Sequence, residues 1–461
     1  MKKSLVAVLL VVSLLALAEV ALVLHFALGT GRIYKPVELT LSFKPFTTGE
    51  LLQFDLEVDT ETCGRKINSK ELETVERRVS KVRELSIEKP ALFRECPESV
   101  VRYELLGSIV EESSEEETEA DEKLLKALGL IPPDENLEET LTDVYSEQIA
   151  GFYDTETKNI TIVKDKSAGS IMDEITMAHE ITHALQDQHF NLVEPPLEND
   201  DYNGDNNLAV LSLVEGDAMT TMVKYAKEYV DLNKLLQEEL AGADIASEEL
   251  DNAPVYIQRS LMFPYEEGMA FVSALEESGG EPAVDNAFRN PPLSSEQIMH
   301  PHKYIQGIDQ PRDVPVLDVA GSLGEGWEMT NEDCMGELDV DVWFEQYCGL
   351  LASVDVAGGW GGNTIQYYQG PGDDYIVVNS FVWDTPDDAR QFLDGYAELL
   401  ESRFEDGLKE VNSNSAYYLL EADGELFYCA MAGDATLCVQ APDRETLDTV
   451  LDSNPAYTPA R

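Results

Sequence analysis

SIMDEITMAHEITHALQDQHF, residues 170–190, is the stretch on which the rest of this chain depends. Ser170 is a suitable helix N-cap, with Asp173 three residues later, and Pro195-Pro196 prevents a long continuation of the helix. Apolar or small side chains recur between these limits at helical spacing, at Ile171, Ile175, Ala178, Thr182 and Leu185. The pattern predicts one helix that ends near residue 190.

The same stretch contains an H-E-x-x-H sequence that begins at His179 and ends at His183. Residues four apart on a helix lie one turn apart on the same side, so the two imidazoles can bind one metal ion. Glu180 follows the first histidine, where its carboxylate can reach a metal-bound water. The spacing predicts one zinc ion per chain, with Glu180 as general base. The alternative is a helix whose two surface histidines bind nothing.

A catalytic zinc site needs a third protein ligand and keeps one position open for water. The next predicted helix, residues 205–230, offers Glu215 in the middle of an apolar stripe, where a carboxylate is costly unless it is paired or bound to a metal. Gly216 beside it has no side chain, which predicts the close approach of another backbone. Three alternatives stay open: Glu215 paired with an Arg or Lys, a helix that is slightly rotated from this stripe, and Asp217, on the opposite side of the stripe, as the ligand.

These residues resemble the motif of the glutamate zincins, the thermolysin-like zinc metallopeptidases. The surrounding sequence, AHEITHALQDQHF with LVEGDA downstream, is similar to that of secreted or surface prokaryotic zinc peptidases. The similarity runs over residues 124–304 and includes EQIAGFYDTETKNITIV, FPYEEG and PPLSSEQIMHPHKY. It implies a zincin-like catalytic domain in which His179, His183 and Glu215 hold zinc and Glu180 is the general base.

The chain departs from the thermolysin-like pattern at one position on the second helix. Those enzymes place an Asp four residues after the ligand Glu, where this chain has Met219, so the groups that orient the histidines are unassigned.

Residues 152–163 read as a β-hairpin. Zincins bind the peptide substrate on a sheet-edge strand beside the metal helix, and the resemblance assigns this hairpin to that role.

A zinc hydrolase also needs a group that stabilises the oxyanion of the tetrahedral intermediate, commonly His or Tyr. His300 and Tyr304 are the candidates, with Tyr265 and Tyr153 as weaker alternatives. The competing interpretation of His300 is a loop histidine next to Pro301.

The chain has 461 residues, 32 Lys plus Arg, 89 Asp plus Glu and a formal charge of −57. This charge argues against nucleic acid and anionic membrane surfaces as partners, while 43% hydrophobic residues are enough for folded cores. The acids are spread along the whole chain, which is typical of proteins from high salt, where surface carboxylates maintain solubility. We therefore expect a halophilic source, a haloarchaeon; the alternative is an acidic secreted protein.

The N-terminus predicts export. Met1-Lys2-Lys3 precedes an apolar run, residues 5–28, which fits either a cleaved signal peptide or an uncleaved membrane anchor. Six cysteines agree with an oxidising, extracellular or cell-surface location.

One disulfide follows from strand register. Gly433 and Asp434 suit a two-residue hairpin turn, and counting outward from them pairs Cys429 with Cys438 at a non-hydrogen-bonded position, where the Cα separation suits a disulfide. Two further pairs follow from proximity in sequence alone: Cys63–Cys96 and Cys334–Cys348.

The predicted fold class is α+β, in four segments. Residues 1–30 are the signal peptide or anchor, and residues 31–123 form an N-terminal region that contains a solvated acidic loop, 111–122. Residues 124–320 form the zincin-like domain, with the H-E-x-x-H helix and a second helix that bears Glu215. Residues 321–461 form a two-layer α+β domain whose core includes Trp343, Trp360 and Trp383.

The sequence as a whole predicts an exported, halophilic zinc metallopeptidase that acts on peptides or proteins. The competing hypothesis is a non-catalytic cell-surface protein with a structural or vestigial zinc site. A third, a calcium-binding envelope protein, would need Asp-x-Asp-x-Asp-Gly loops, which residues 200–205 match only loosely.

Overall fold

The computed structural model describes residues 63–66, 70–97, 99–101, 115–148, 151–163, 171–199, 201–235, 248–317 and 319–457. The expected export segment and the proposed N-cap Ser170 lie outside these residues. The fold is mixed α+β, with 56% helix, 19% strand and a C-terminal antiparallel sheet. Among the described residues, no helix has the length and apolar character needed to cross a membrane.

The first sheet has four strands: β1 (Gly64–Lys66), β2 (Leu92–Cys96), β3 (Gly151–Asp154) and β4 (Asn159–Val163). Their order is β1-β2-β4-β3, with β2 parallel to β4 and the other pairs antiparallel. The hairpin predicted for residues 152–163 is therefore confirmed, and β3 is an edge strand of this sheet as described.

The helices of the first part of the chain are α1 (Lys70–Arg83), α2 (Glu115–Leu128), α3 (Leu137–Gln148), α4 (Ile171–Phe190), α5 (Gly204–Tyr229), α6 (Glu248–Asn252), α7 (Val255–Gly279), α8 (Glu281–Arg289), α9 (Ser295–Met299), α10 (Pro301–Gln306) and α11 (Ala320–Leu323). Helices α4 and α5 are the two predicted to carry the metal ligands. Asn203 caps α5, and its side chain accepts a hydrogen bond from the backbone N–H of Asn206.

Helices α5 and α7 cross in direct backbone contact. A Cβ atom added at Gly216 would lie 2.2 Å from the carbonyl carbon of Gly268, and one added at Gly268 would lie 2.2 Å from the carbonyl oxygen of Ser212. No real Cβ atom fits at such distances, so both helices need glycine at the crossing. The close approach predicted at Gly216 is confirmed.

The C-terminal domain is a seven-stranded antiparallel sheet in the order β5-β6-β7-β11-β10-β9-β8. Its strands are β5 (Glu328–Asp333), β6 (Trp360–Gln369), β7 (Tyr375–Trp383), β8 (Lys409–Asn414), β9 (Tyr417–Ala422), β10 (Glu425–Ala432) and β11 (Ala435–Ala441), and its helices are α12 (Glu337–Cys348), α13 (Leu350–Ala357), α14 (Pro386–Phe404) and α15 (Arg444–Asp452).

This sheet is covered on both faces, which corrects the expected two-layer arrangement. Helices α12, α13 and α14 pack on one face, where the core includes Trp343, Trp360 and Trp383 as predicted. Helix α15 packs on the other face, where Leu447 and Val450 are fully buried. The domain needs this second cover because apolar side chains point to both faces of its central strands.

The predicted acidic loop is wrong where the structure describes it, because residues 115–122 form the first half of α2. Ion pairs of the i,i+4 type support the helix, at 2.8 Å for Glu119–Lys123 and 2.7 Å for Glu122–Lys126. Its apolar face packs on the C-terminal domain, where the carbonyl of Leu128 accepts a 3.0 Å hydrogen bond from the Trp343 indole N–H. The apolar stripe starts only at Ala120, so the acidic stretch alone does not reveal it.

The segment boundaries also differ from those expected. The division at 123/124 falls inside α2, and the division at 320/321 falls inside α11. Pairing of β2 with β4 joins β1 and β2 to the hairpin in one sheet. Before α11 the chain already lies on β6, where the backbone N–H of Arg312 donates to the carbonyl of Gly361 over 2.7 Å.

Two of the three predicted disulfides form, Cys63–Cys96 and Cys429–Cys438, and the second has the register expected from the hairpin. Cys334 and Cys348 are free thiols, which corrects the third pair. Helix α12 separates them, and its 12 residues span about 18 Å, well beyond disulfide reach. The two bonds suggest an extracellular location.

We expect Gly216→Ala to lower the free energy of unfolding by about 1–3 kcal/mol, because the new methyl group would overlap the α7 backbone. Denaturant unfolding in molar salt measures this change. Gly321→Ala is the matched control, since a Cβ atom there meets nothing within 4 Å. Equal stability of the two variants would contradict the tight crossing.

Candidate metal site

The structure brings the three predicted ligands together between α4 and α5. The Nε2 atom of His179 lies 3.1 Å from the Oε2 atom of Glu215 and 2.9 Å from the Nε2 atom of His183, which is 3.5 Å from the same carboxylate oxygen. Ligand atoms bound tetrahedrally to one zinc at about 2.0–2.1 Å lie about 3.3 Å from one another. The spacing of the three atoms therefore suits a zinc ion.

The Glu180 carboxylate lies beside this trio in a buried environment. It is 1% exposed, and neither of its oxygens has a hydrogen-bond partner in the described chain. It is near enough to His183 that its charge contributes to raising the pKa of that imidazole. A buried carboxylate without a partner is costly, so its position favours a nearby cation, or a water held by one.

The charges of the trio are strongly coupled. Burial alone would raise the pKa of Glu215, but His183 and His179 outweigh burial and lower the pKa to about 2. Burial alone would likewise lower the pKa of His183, but Glu215 outweighs it and raises the pKa to about 9. The centre of the trio therefore favours positive charge, which a proton or a metal ion can supply.

Gln186, one turn after His183, fixes the orientation of that imidazole. Its amide nitrogen donates to the carbonyl of Val214 over 3.0 Å and to the Oδ2 atom of Asp217 over 2.9 Å. These two acceptors leave its amide oxygen facing the Nδ1 atom of His183 at 2.9 Å. The Nδ1 atom must then carry the hydrogen, and Nε2 presents its lone pair to the metal position.

Asp217 is anchored in turn by Arg83 of α1, which is fully buried. The Arg83 Nε atom donates to the Oδ2 atom of Asp217 over 2.9 Å, and its Nη1 and Nη2 atoms donate to Glu281 and Asp285, also over 2.9 Å. Burial alone would lower the pKa of Arg83, but the three acids outweigh it and raise that pKa. The alternatives of a paired Glu215 and of Asp217 as the ligand are therefore wrong: Asp217 pairs with the base, and Glu215 joins the histidines.

Sequence reasoning missed Gln186, Asp217 and Arg83 as the support of the site. It looked for an acid at position 219, and Met219 is instead buried in an apolar cluster. Gln186 had a readable signal, because it lies three residues after His183 and hence on the same helix face. Arg83 had none, since 134 positions separate it from Asp217.

The two candidates for oxyanion stabilisation are bonded elsewhere. His300 Nε2 lies 2.9 Å from a Glu337 oxygen, and the Tyr304 hydroxyl donates to the carbonyl of Asn290 over 2.5 Å. Helix α9, just before them, is fixed to the first turn of α5, where the backbone N–H of Ser295 donates to Asp205 over 3.0 Å. Glu215 lies ten residues further along α5, about 15 Å away along its axis.

The weaker alternatives, Tyr153 and Tyr265, are both buried. Tyr153 donates its hydroxyl to Asp187 over 2.7 Å, and Lys158 forms an ion pair with the same carboxylate at 2.7 Å. Since Asp187 lies one turn beyond His183, these bonds hold the β3–β4 hairpin against the helix of the metal site. Tyr265 lies in the same apolar cluster as Met219.

Comparison with known proteins assigns only part of the chain. The model of a domain of unknown function, DUF8575, matches residues 325–451, which lie in the C-terminal domain and include none of the residues of the candidate site. No curated protein and no solved structure matches the chain.

We expect Gln186→Leu to weaken zinc and Co²⁺ binding about 10–100-fold, because His183 would lose the acceptor that fixes its tautomer. Competition with a chromophoric chelator in molar salt measures the affinity, and the Co²⁺ absorption spectrum reports the ligand geometry. Gln188→Leu is the matched control, since Gln188 is on the same helix but its bonds within the described part of the chain go to residues 88 and 89 at the surface. Equal loss in both variants would contradict the assigned role.

Proposed function

We propose that this protein is an exported, halophilic zinc metallopeptidase with a zincin-like catalytic domain. The observation that carries the proposal is the buried, unpartnered Glu180 carboxylate beside a His-His-Glu trio whose spacing suits zinc. A purely structural metal site would have no use for a carboxylate in that position, whereas a peptidase needs a base there.

The residues of the site divide the work of peptide hydrolysis. His179, His183 and Glu215 would hold zinc, which when bound lowers the pKa of water and polarises a carbonyl group. Glu180 would accept the proton of the attacking water and deliver it to the leaving nitrogen of the peptide. Gln186 keeps the Nε2 lone pair of His183 directed at the metal.

The edge strand β3 is the proposed substrate-binding strand. The hairpin bonds of Tyr153 and Lys158 to Asp187 hold it beside α4. A peptide can add to a sheet edge through main-chain hydrogen bonds, and this addition would align its scissile bond with the metal helix.

Export and salt adaptation rest on the two disulfides and on the charge of −57. Dense surface carboxylates repel one another at low salt, and molar salt screens this repulsion. We infer an extracellular or cell-surface enzyme, with the N-terminal apolar segment as signal peptide or anchor.

The second candidate function is a non-catalytic surface protein with a structural metal site. One observation favours it: the side chains of His179, Glu180, His183 and Glu215 are all at most 1% exposed. Structural zinc sites are closed, whereas catalytic ones keep a position open to substrate.

We expect Glu180→Gln to keep one zinc per chain and to lower casein hydrolysis in molar salt about 10²–10⁴-fold, because the amide cannot accept the water's proton. Metal analysis and hydrolysis of wild type and variant side by side measure both quantities. Glu174→Gln is a matched control on the same helix, since Glu174 bonds to Arg78 and Tyr225 rather than facing the trio.

Each outcome separates the two functions. Zinc in both proteins with hydrolysis only in the wild type supports the peptidase. Zinc in both with no hydrolysis in either, across a peptide library, favours the structural site. Absence of zinc from both would show that the trio binds no zinc and would overturn both functions.

A further inference from the structure

A pocket in the helical part of the molecule is lined by none of the residues of the trio. Its cavity volume is about 360 Å³, and it is formed by the end of α7, by α8, by the segment between α8 and α9, by α9, and by α10 with the residues that follow it. Four amide and two hydroxyl side chains supply its polar groups: Asn286, Asn290, Gln297, Gln310, Ser278 and Tyr304. We call it the amide pocket. It is built in part by PPLSSEQIMHPHKY, a stretch for which the proposed peptidase gives no role.

The amide pocket carries no charged side chain. The chain is 26% charged, so ten lining residues would ordinarily include two or three. Charged neighbours on the same helices are bonded elsewhere: Glu276 to Lys224, Asp285 to Arg83, and Arg289 over the ring of Phe190. Asp285 of α8 is thus directed towards Arg83 and Arg289 towards the ring of Phe190, and the neutral residues line the cavity.

Hydrogen bonds within the wall form the pocket in advance of any ligand. The Tyr304 hydroxyl donates to the Asn290 carbonyl over 2.5 Å. The Gln297 side chain, which is 1% exposed, accepts from the Leu293 backbone over 2.8 Å and donates to the Gln310 side chain over 3.4 Å. Binding of a ligand would therefore require little further ordering of these side chains, which lowers the entropic cost of binding.

Unused hydrogen-bonding groups remain at the rim. The Oδ1 atom of Asn286 accepts from Asn290 over 3.2 Å, and the Oε1 atom of Gln310 accepts from Gln297. These bonds leave the NH₂ groups of Asn286 and Gln310 as donors, and no contact within the described residues uses them. Leu275, Pro291 and Ile305 supply apolar surface beside them.

We propose that the amide pocket binds an uncharged sugar ring, either as a free saccharide or as part of a glycan. Amide groups both donate and accept, which suits vicinal hydroxyls, and the apolar residues suit the C–H face of a ring. The cavity volume is at the lower end of the range for ligand pockets and suits one or two rings. A peptide that binds by strand addition would need a sheet edge, and helices and loops form this wall. The proposal does not depend on the proposed peptidase.

The test is titration of the full chain in molar salt with maltose and cellobiose, together with an array of neutral and sulfated glycans. We expect neutral saccharides to bind and sulfated ones not to bind. Asn286→Leu and Gln310→Leu should each weaken binding about tenfold, the effect of losing one hydrogen bond of about 1.4 kcal/mol. Gln306→Leu, an exposed residue of α10 that does not line the pocket, is the matched control.

The arms of the experiment distinguish the sources. Binding of free disaccharides supports a soluble sugar, and binding on the array alone supports a glycan of a surface protein. No binding of any neutral saccharide at millimolar concentration overturns the proposal, as does stronger binding of sulfated glycans. Unchanged binding by both rim variants, with unfolding curves that match wild type, also overturns it.

Discussion

The buried ion cluster around Arg83 is the interaction on which the candidate metal site depends. A guanidinium group with no solvent exposure is costly, and only a full set of acceptors offsets that cost. Asp217, Glu281 and Asp285 supply these acceptors, which ties α1 and α8 to the middle of α5. Asp217 in turn fixes the Gln186 amide, and Gln186 fixes His183. The orientation of the His183 imidazole in the candidate site is therefore set by an arginine from the N-terminal part of the chain.

Other basic side chains also pair with several carboxylates at once, because Lys and Arg are scarce in this chain. With 32 Lys plus Arg for 89 Asp plus Glu, most carboxylates have no basic side chain of the chain to pair with. The few bases at the packed junctions each serve several acids. Lys224 binds Glu276 and Glu281, and Lys303 binds Glu296 and Asp309. Such shared cations let helices meet although both are acidic. The carboxylates of Glu296, Asp309 and Asp384 lie close enough together to hold a metal ion, but Lys303 contacts all three and supplies the positive charge there.

Sequence patterns predicted those features of the structure that depend on residues close together in the sequence. The periodicity of residues 170–190 gave α4, an isolated acid on an apolar face indicated Glu215, and a two-residue turn gave the register of Cys429 and Cys438. The predictions failed where the structure depends on residues far away in the sequence or on the fold between them. The first half of α2 continues a helix whose second half packs its apolar face on the C-terminal domain. The Cys334–Cys348 pair fails because a helix intervenes, which proximity in sequence cannot show. Arg83 and Asp217 are 134 positions apart in the sequence and come into contact only in the folded chain.

The C-terminal domain is bonded directly to the helix that carries Glu215. The backbone N–H at Gly204, in the first turn of α5, donates to Asp333 over 2.7 Å, and the backbone N–H of Leu338 donates to the Ser295 hydroxyl over 3.2 Å. Since the Ser295 backbone N–H also donates to Asp205, the start of α5 is bonded both to α9 and to the last residue of β5, and α9 is bonded to the first turn of α12. A helix fixed at its start here and in its middle by Arg83 has little freedom to rotate. Glu215 is thereby kept facing the two histidines, so the domain matched by the family model contributes to the geometry of a candidate site that contains none of its own residues.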